Sequence, residues 1–138
     1  MATKVTVSTI VHAPTEKAWE YFTKPEHVMV WNHASDDWHC PSATADLRPG
    51  GAFSSRMEAK DKSIGFDFGG TYDEVIPNEF LSYTIGDGRT VEIGFEDMGD
   101  GKTQVTETFE AETQNPVDMQ QQGWQAILDN YKKHVESK

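Results

Sequence analysis

Polar and apolar residues alternate along the first stretch of the chain, with Val5, Val7 and Val11 set against Lys4, Thr6 and Ser8. Period-two alternation predicts a β-strand, already under way in residues 1–7 and ending before Pro14. The period then changes. Ala18, Trp19 and Phe22 fall on one face of a short helix opening at Pro14, whose first turn carries Glu16 against the positive helix end. Pro25 closes that helix and opens a second short one bearing Val28, Met29 and Trp31. Residues 32–41, rich in His, Asp and Trp, read as a loop.

Alternation resumes at Ala43, Ala45 and Leu47 and continues at Phe53, Ser55 and Met57, across Asp46-Leu47-Arg48-Pro49-Gly50-Gly51. Pro49 sets the φ that a type II turn needs at its second position, and Gly50 supplies the positive φ at the third. Phe66, Phe68, Gly70 and Tyr72 mark a further strand over 66–76. Turns at Pro77-Asn78, Gly86-Asp87-Gly88 and Gly99-Asp100-Gly101 separate three more: Leu81, Tyr83 and Ile85; Val91, Ile93 and Phe95; Val105, Glu107 and Phe109. After Pro116 the period returns to 3.6. Val117, Trp124, Ile127, Leu128, Tyr131 and Val135 form one stripe, which predicts a helix over 117–135. Gly123 beside Trp124 permits close approach to a sheet. About seven strands in sequential hairpins imply an antiparallel sheet, and the flanking helices make the class α+β. A sheet that bends around its own long helix leaves a space between them.

Length and charge narrow the function classes. The 138 residues suit one domain spanning 1–138. A net charge of -11, with no local basic cluster, repels phosphate backbones and anionic lipid heads, so neither nucleic acid nor a membrane is an expected partner. The single Cys40 leaves no intrachain disulfide and fits a reducing, cytoplasmic setting. The first strand lacks the apolar run of a signal peptide, and no later segment is long enough to span a bilayer.

Familiar chemical motifs are missing: the sequence holds no P-loop, HExxH, GxGxxG or nucleophile elbow. Its densest polar cluster, Trp31 to Cys40, contains His33, Asp36, Asp37 and His39. Their spacing matches no standard zinc pattern, so the expectation is a loop whose tryptophans cover a cavity mouth, with no metal and no cofactor. A His39–Cys40 nucleophile is disfavoured because adjacent strand residues point to opposite faces. Glu107 shares parity with Val105 and Phe109. Either it points inward, where it must be paired, hydrogen-bonded or protonated, or a β-bulge or edge position returns it to solvent. Inward, it would anchor a ligand hydroxyl or amine, or act as a general acid or base. Gln120 and Gln121 precede Trp124 by four and three residues, which turns at least one toward the sheet. Arg48 is either an anion hook or half of a surface ion pair. His12 and His134 read as surface or helix-end residues.

Five stretches, in this order, resemble one superfamily: Ala13-Pro14 with Ala18-Trp19 and Pro25-Glu26; Trp31; Asp46-Leu47-Arg48-Pro49-Gly50-Gly51 with Phe53; Gly70-Thr71-Tyr72-Asp73-Glu74-Val75-Ile76-Pro77; and Gly123-Trp124 with Leu128. They resemble the SRPBCC (START-like, birch-pollen-allergen-like) superfamily, within it the heat-shock protein 90 ATPase activator homologue-like branch, over nearly the whole chain. The resemblance implies a helix-grip fold, a curved antiparallel sheet wrapped around the C-terminal helix and enclosing a cavity for an apolar small molecule. It also implies relatives among lipid carriers, polyketide cyclases and aromatases. The chain has no room for the additional chaperone-binding domain of the eukaryotic activator. The residues expected to meet a hydrophobic or aromatic ligand are Trp31, His33, Trp38, Phe53, Met57, Phe66, Phe68, Tyr72, Tyr83, Glu107, Gln120 and Trp124. Binding without catalysis is the favoured expectation. Cyclase-, aromatase- or hydrolase-like chemistry in the same cavity, and a chaperone-associated interaction module, are the alternatives.

Overall fold

Two prolines decide where the chain changes structure at its N-terminal end. In the computed structural model, which describes residues 3–137, β1 (Lys4–Val11) leads through Pro14 into α1 (Thr15–Thr23), and Pro25 is the first residue of α2 (Pro25–Trp31). Lys24 stands extended between the two helices because a residue preceding proline is pushed out of the helical region. The strands β2 (Trp38–Ala45), β3 (Ala52–Ala59), β4 (Gly65–Ile76), β5 (Phe80–Ile85), β6 (Thr90–Gly99) and β7 (Lys102–Glu110) follow. The long helix α3 (Val117–Glu136) ends the order.

All seven strands pair antiparallel in one curled sheet, in the spatial order β1-β7-β6-β5-β4-β3-β2. The Pro49 turn has the expected form: Gly51 N–H donates to the Arg48 carbonyl at 2.9 Å, and Gly50 holds φ 83°. The concave face carries Val5, Val7 and Val11 of β1, Val91, Ile93 and Phe95 of β6, and Val105 and Phe109 of β7. Against it lie Leu128, Tyr131 and Val135 of α3, all fully buried. Each such side chain contributes roughly 1.5–3 kcal/mol through burial. The Tyr131 hydroxyl donates to the Ala18 carbonyl at 2.6 Å, and the Trp31 indole N–H to the Tyr21 carbonyl at 2.9 Å. These two bonds pin both short helices to each other and to α3.

The structure corrects three expectations and adds a bulge to one strand. Residues 38–41 belong to β2 rather than to a loop: Trp38 and His39 pair with Ala59 and Glu58 before the register shifts ahead of Ser42. That irregularity on an edge strand accommodates Pro41, which an interior strand would not tolerate. In β4 a bulge between Tyr72 and Glu74 inverts the phase, so that Tyr72 and Val75, not Tyr72 and Glu74, face inward. Val117 stands 39% exposed, off the buried stripe of α3. His134 is buried, its Nε2 2.9 Å from Nδ1 of His27, with Tyr21 stacked on the His27 ring.

The outer edge of β1 is met by side chains of α3. Gln125 donates through Nε2 to the Ser8 carbonyl at 3.2 Å, and Lys132 through Nζ to the Ile10 carbonyl at 2.6 Å. Just beyond the strand, His12 N–H donates to a Glu136 carboxylate oxygen at 2.9 Å.

Candidate functional site

Between the concave sheet face and the helices lies a cavity of about 260 Å3. Its walls follow from strand parity. Phe53, Ser55 and Met57 come from β3, Phe66, Phe68 and Tyr72 from β4, and Leu81 and Tyr83 from β5. Trp124 and Ile127 of α3 close one side, and Val28 and Trp31 of α2 with Phe22 of α1 close another. Aromatic rings dominate and brace each other. Phe53 meets Tyr83 edge-on at 4.7 Å and Tyr72 at 5.0 Å, while Phe68 meets Trp124 edge-on at 6.5 Å. Such walls offer flat apolar surface with little conformational freedom to lose on binding.

One of those positions on the inner wall has no Cβ. Gly70 continues the inward row of Phe66, Phe68 and Tyr72, and a Cβ there would lie 2.1 Å from the Thr84 carbonyl oxygen. The close approach of β4 to β5 therefore requires glycine.

The cavity holds a single carboxyl. Glu107 lies in β7 with unbroken pairing on both sides, opposite Val7 of β1 and Ile93 of β6. No bulge or edge position intervenes, so the side chain points inward and is only 6% exposed. It lines the cavity and makes no hydrogen bond or ion pair among the described residues. Burial pushes its pKa up to about 8, because no neighbouring cation or donor offsets the loss of hydration. At neutral pH the group is therefore a carboxylic acid, with one O–H to donate. Burial also raises the Tyr83 and Tyr131 hydroxyls, with the Glu107 charge adding to the effect, and pushes Tyr72 up to about 12.

Of the residues expected to meet a ligand, the cavity brings together Trp31, Phe53, Met57, Phe66, Phe68, Tyr72, Tyr83, Glu107 and Trp124. Three lie elsewhere. Gln120 faces the segment before α3, accepting from Glu112 N–H at 2.8 Å and donating to the Glu112 carbonyl at 3.0 Å. Trp38 lies in β2 against Phe66, at 5.9 Å between rings, on the outer side of the mouth. His33 follows α2, where Asn130 of α3 donates to its carbonyl at 2.6 Å. Its buried Nδ1 has no hydrogen-bond partner among the described residues, and burial lowers the imidazole pKa, with nearby Lys60 adding to the effect.

The polar cluster around these residues is dispersed. His39 turns toward Glu58 at 3.8 Å, Asp37 accepts from Ser35, and the Cys40 thiol donates to the Ser42 carbonyl at 3.4 Å. Burial pushes that thiol pKa up, away from the thiolate a nucleophile needs. Among the described residues no three His, Cys, Asp or Glu side chains are placed to hold a metal ion. Arg48 pairs with Asp46 at 2.8 Å on the surface.

Several wall residues escaped the sequence reading: Phe22, Val28, Ser55, Leu81 and Ile127 also line the cavity. Ser55 and Leu81 share parity with Phe53 and Tyr83, a signal that was present. Phe22 and Val28 depend on how α1 and α2 fold back over the sheet, which no local pattern encodes.

Comparison with known proteins places this geometry. The model of the family described as Activator of Hsp90 ATPase homolog 1-like protein matches residues 12–136. The solution structure of an AHSA1-like protein from Aeromonas hydrophila is 41% identical, with TM-score 0.91 over 98% of this chain and 93% of that one. A solution structure from Cytophaga hutchinsonii is 48% identical, with TM-score 0.84 over 97% and 92%. A crystal structure from Nitrosomonas europaea, 20% identical with TM-score 0.84 over 97% and 94%, shares the fold. No curated protein matches the chain.

Proposed function

This chain belongs to the family of Activator of Hsp90 ATPase homolog 1-like proteins, and from that premise we propose that it binds an apolar, flat small molecule in the cavity between sheet and helices. The observation that carries the reading is the cavity itself: about 260 Å3 walled by Phe53, Phe68, Tyr72, Tyr83 and Trp124, in a fold that commonly holds hydrophobic ligands. Binding without turnover fits the chemistry present. One carboxyl stands alone in the site, with no second acid and no His, Lys or Cys among the lining residues to activate the hydroxyls there. Fold likeness alone carries no ligand, so the site has to supply it.

The test is a titration with N-phenyl-1-naphthylamine, a neutral and weakly fluorescent apolar probe. Saturable binding that brightens the probe and quenches tryptophan emission is expected, because Trp31 and Trp124 border the cavity. A folded protein that binds none of it would overturn the proposal and favour an interaction module acting through its surface.

A further inference from the structure

We infer that Glu107 is the polar anchor of the cavity and works there as a neutral hydrogen-bond donor, so that the ligand is an uncharged aromatic molecule presenting a carbonyl-type acceptor. This rests on the binding function proposed above and names the class of ligand that the same site takes.

Geometry comes first. Glu107 is the one ionisable acid or base in a mostly apolar lining, paired across the sheet with Val7 and Ile93. It is nine-tenths buried, opens into the cavity and has no partner among the described residues. A buried polar group without a partner is costly, and a ligand atom that supplies the missing bond recovers that cost.

Charge then decides what the partner is. No Lys, Arg or His lines the cavity, so a carboxylate or sulfonate ligand would be buried beside an acid with nothing to neutralise it. The net charge of -11 opposes its approach as well. An ammonium ligand would gain one carboxylate and otherwise only neutral hydroxyl and amide oxygens, and a buried ion pair supported by neutral groups alone does not repay its desolvation. A neutral acceptor needs neither. It takes the O–H that Glu107 keeps at neutral pH, where burial holds the pKa near 8. The titratable groups facing this carboxyl are the hydroxyls of Tyr83 from β5 and Tyr131 from α3, both raised further by burial. β1 and β6 present only Val7 and Ile93. A pH step between 6 and 9 that is lost in Glu107→Gln therefore reports Glu107.

The experiment compares four naphthalenes of similar size by calorimetry on the folded protein: 2-acetylnaphthalene, 2-ethylnaphthalene, 2-naphthoate and 2-naphthylmethylammonium. At pH 6.5 the ketone should bind about tenfold more tightly than the hydrocarbon, the value of one desolvated hydrogen bond. The two ions should bind more weakly than the ketone. The ketone's advantage should shrink as pH rises through 8 and vanish by about pH 9.5, when the acid has ionised. In Glu107→Gln the amide N–H donates at every pH, so the advantage should persist without a pH step. In Glu107→Leu it should disappear while the hydrocarbon still binds. Equal affinities for ketone and hydrocarbon in the wild type would overturn the role of Glu107 and leave the binding pocket standing. Tightest binding by either ion would overturn it too, as would a pH step that survives in Glu107→Gln. Failure of all four compounds to bind would overturn the pocket and this inference together.

Discussion

The indole of Trp124 lies flat on the ring of Phe109, the centroids 4.1 Å apart and the planes 8° from parallel. This stack joins α3 to β7 two residues beyond Glu107, on the same face of the strand. The helix thus delivers one cavity wall and, through Phe109, presses on the strand that carries the carboxyl.

Trp124→Ala should weaken binding of N-phenyl-1-naphthylamine by more than about tenfold, since it removes a wall and unseats Phe109. Trp19→Ala is the control. Trp19 is buried against Phe95 at 5.3 Å, away from the cavity, and its loss should cost about 3–5 kcal/mol of stability. The affinity of its folded fraction should be unchanged. Equal losses of affinity in the two variants, measured at a temperature where both are folded, would refute the assignment.

Protonation of Glu107 makes a signed prediction about stability. The folded-state pKa, about 8, lies above the ordinary carboxylate value of 4.5, so the folded protein holds a proton that the unfolded chain releases between those limits. Wild-type stability should therefore fall relative to Glu107→Gln as pH rises from about 4.5 to 8, by roughly a few kcal/mol, then run parallel to it. Urea unfolding of both proteins from pH 5 to 9 measures the gap. A constant difference across that range would mean that Glu107 is ionised in the folded state.

Leu128 is fully buried beneath α3 whereas Lys133 is exposed. Leu128→Ala should cost about 2–5 kcal/mol in chemical denaturation. Lys133→Ala should stay within about 0.5 kcal/mol of wild type. Similar costs would reverse the assigned face of the helix.

Gly70→Ala should destabilise by about 1–3 kcal/mol or more, because the new methyl meets backbone rather than a movable side chain. Hydrogen exchange should show the loss concentrated in β4 and β5. Neutral behaviour of this variant would show that the two strands have room to separate.

Much of the molecule was legible in the sequence because it is written in local terms. The hairpin at Pro49-Gly50, the parity of Val105, Glu107 and Phe109, and the α3 stripe each follow from steric or periodic rules that act within a few residues. Parity put Glu107 on the apolar face but left a bulge or edge position open. That choice could only be settled by the pairing of β7 with both neighbours. The misplaced residues share another cause. Gln120 has the helical spacing of a sheet-facing side chain, yet the segment at Glu112 offers it backbone partners. Trp38 sits in a stretch rich in His, Asp and Trp that reads as a loop, and the edge irregularity that keeps it in a strand leaves no mark on periodicity. His134 does stand in the last turn of α3, but its burial against His27, 107 positions away, has no local signal.

The bonds from α3 to β1 have a consequence for how copies of this chain meet. An open sheet has two edges, and a bare edge is a template on which another strand can grow. At β1 the carbonyls of Ser8 and Ile10, which such a newcomer would need, already accept from Gln125 and Lys132. The same helix that walls the cavity takes the place of a neighbouring strand at those two positions, and opposes self-recruitment along that part of the edge.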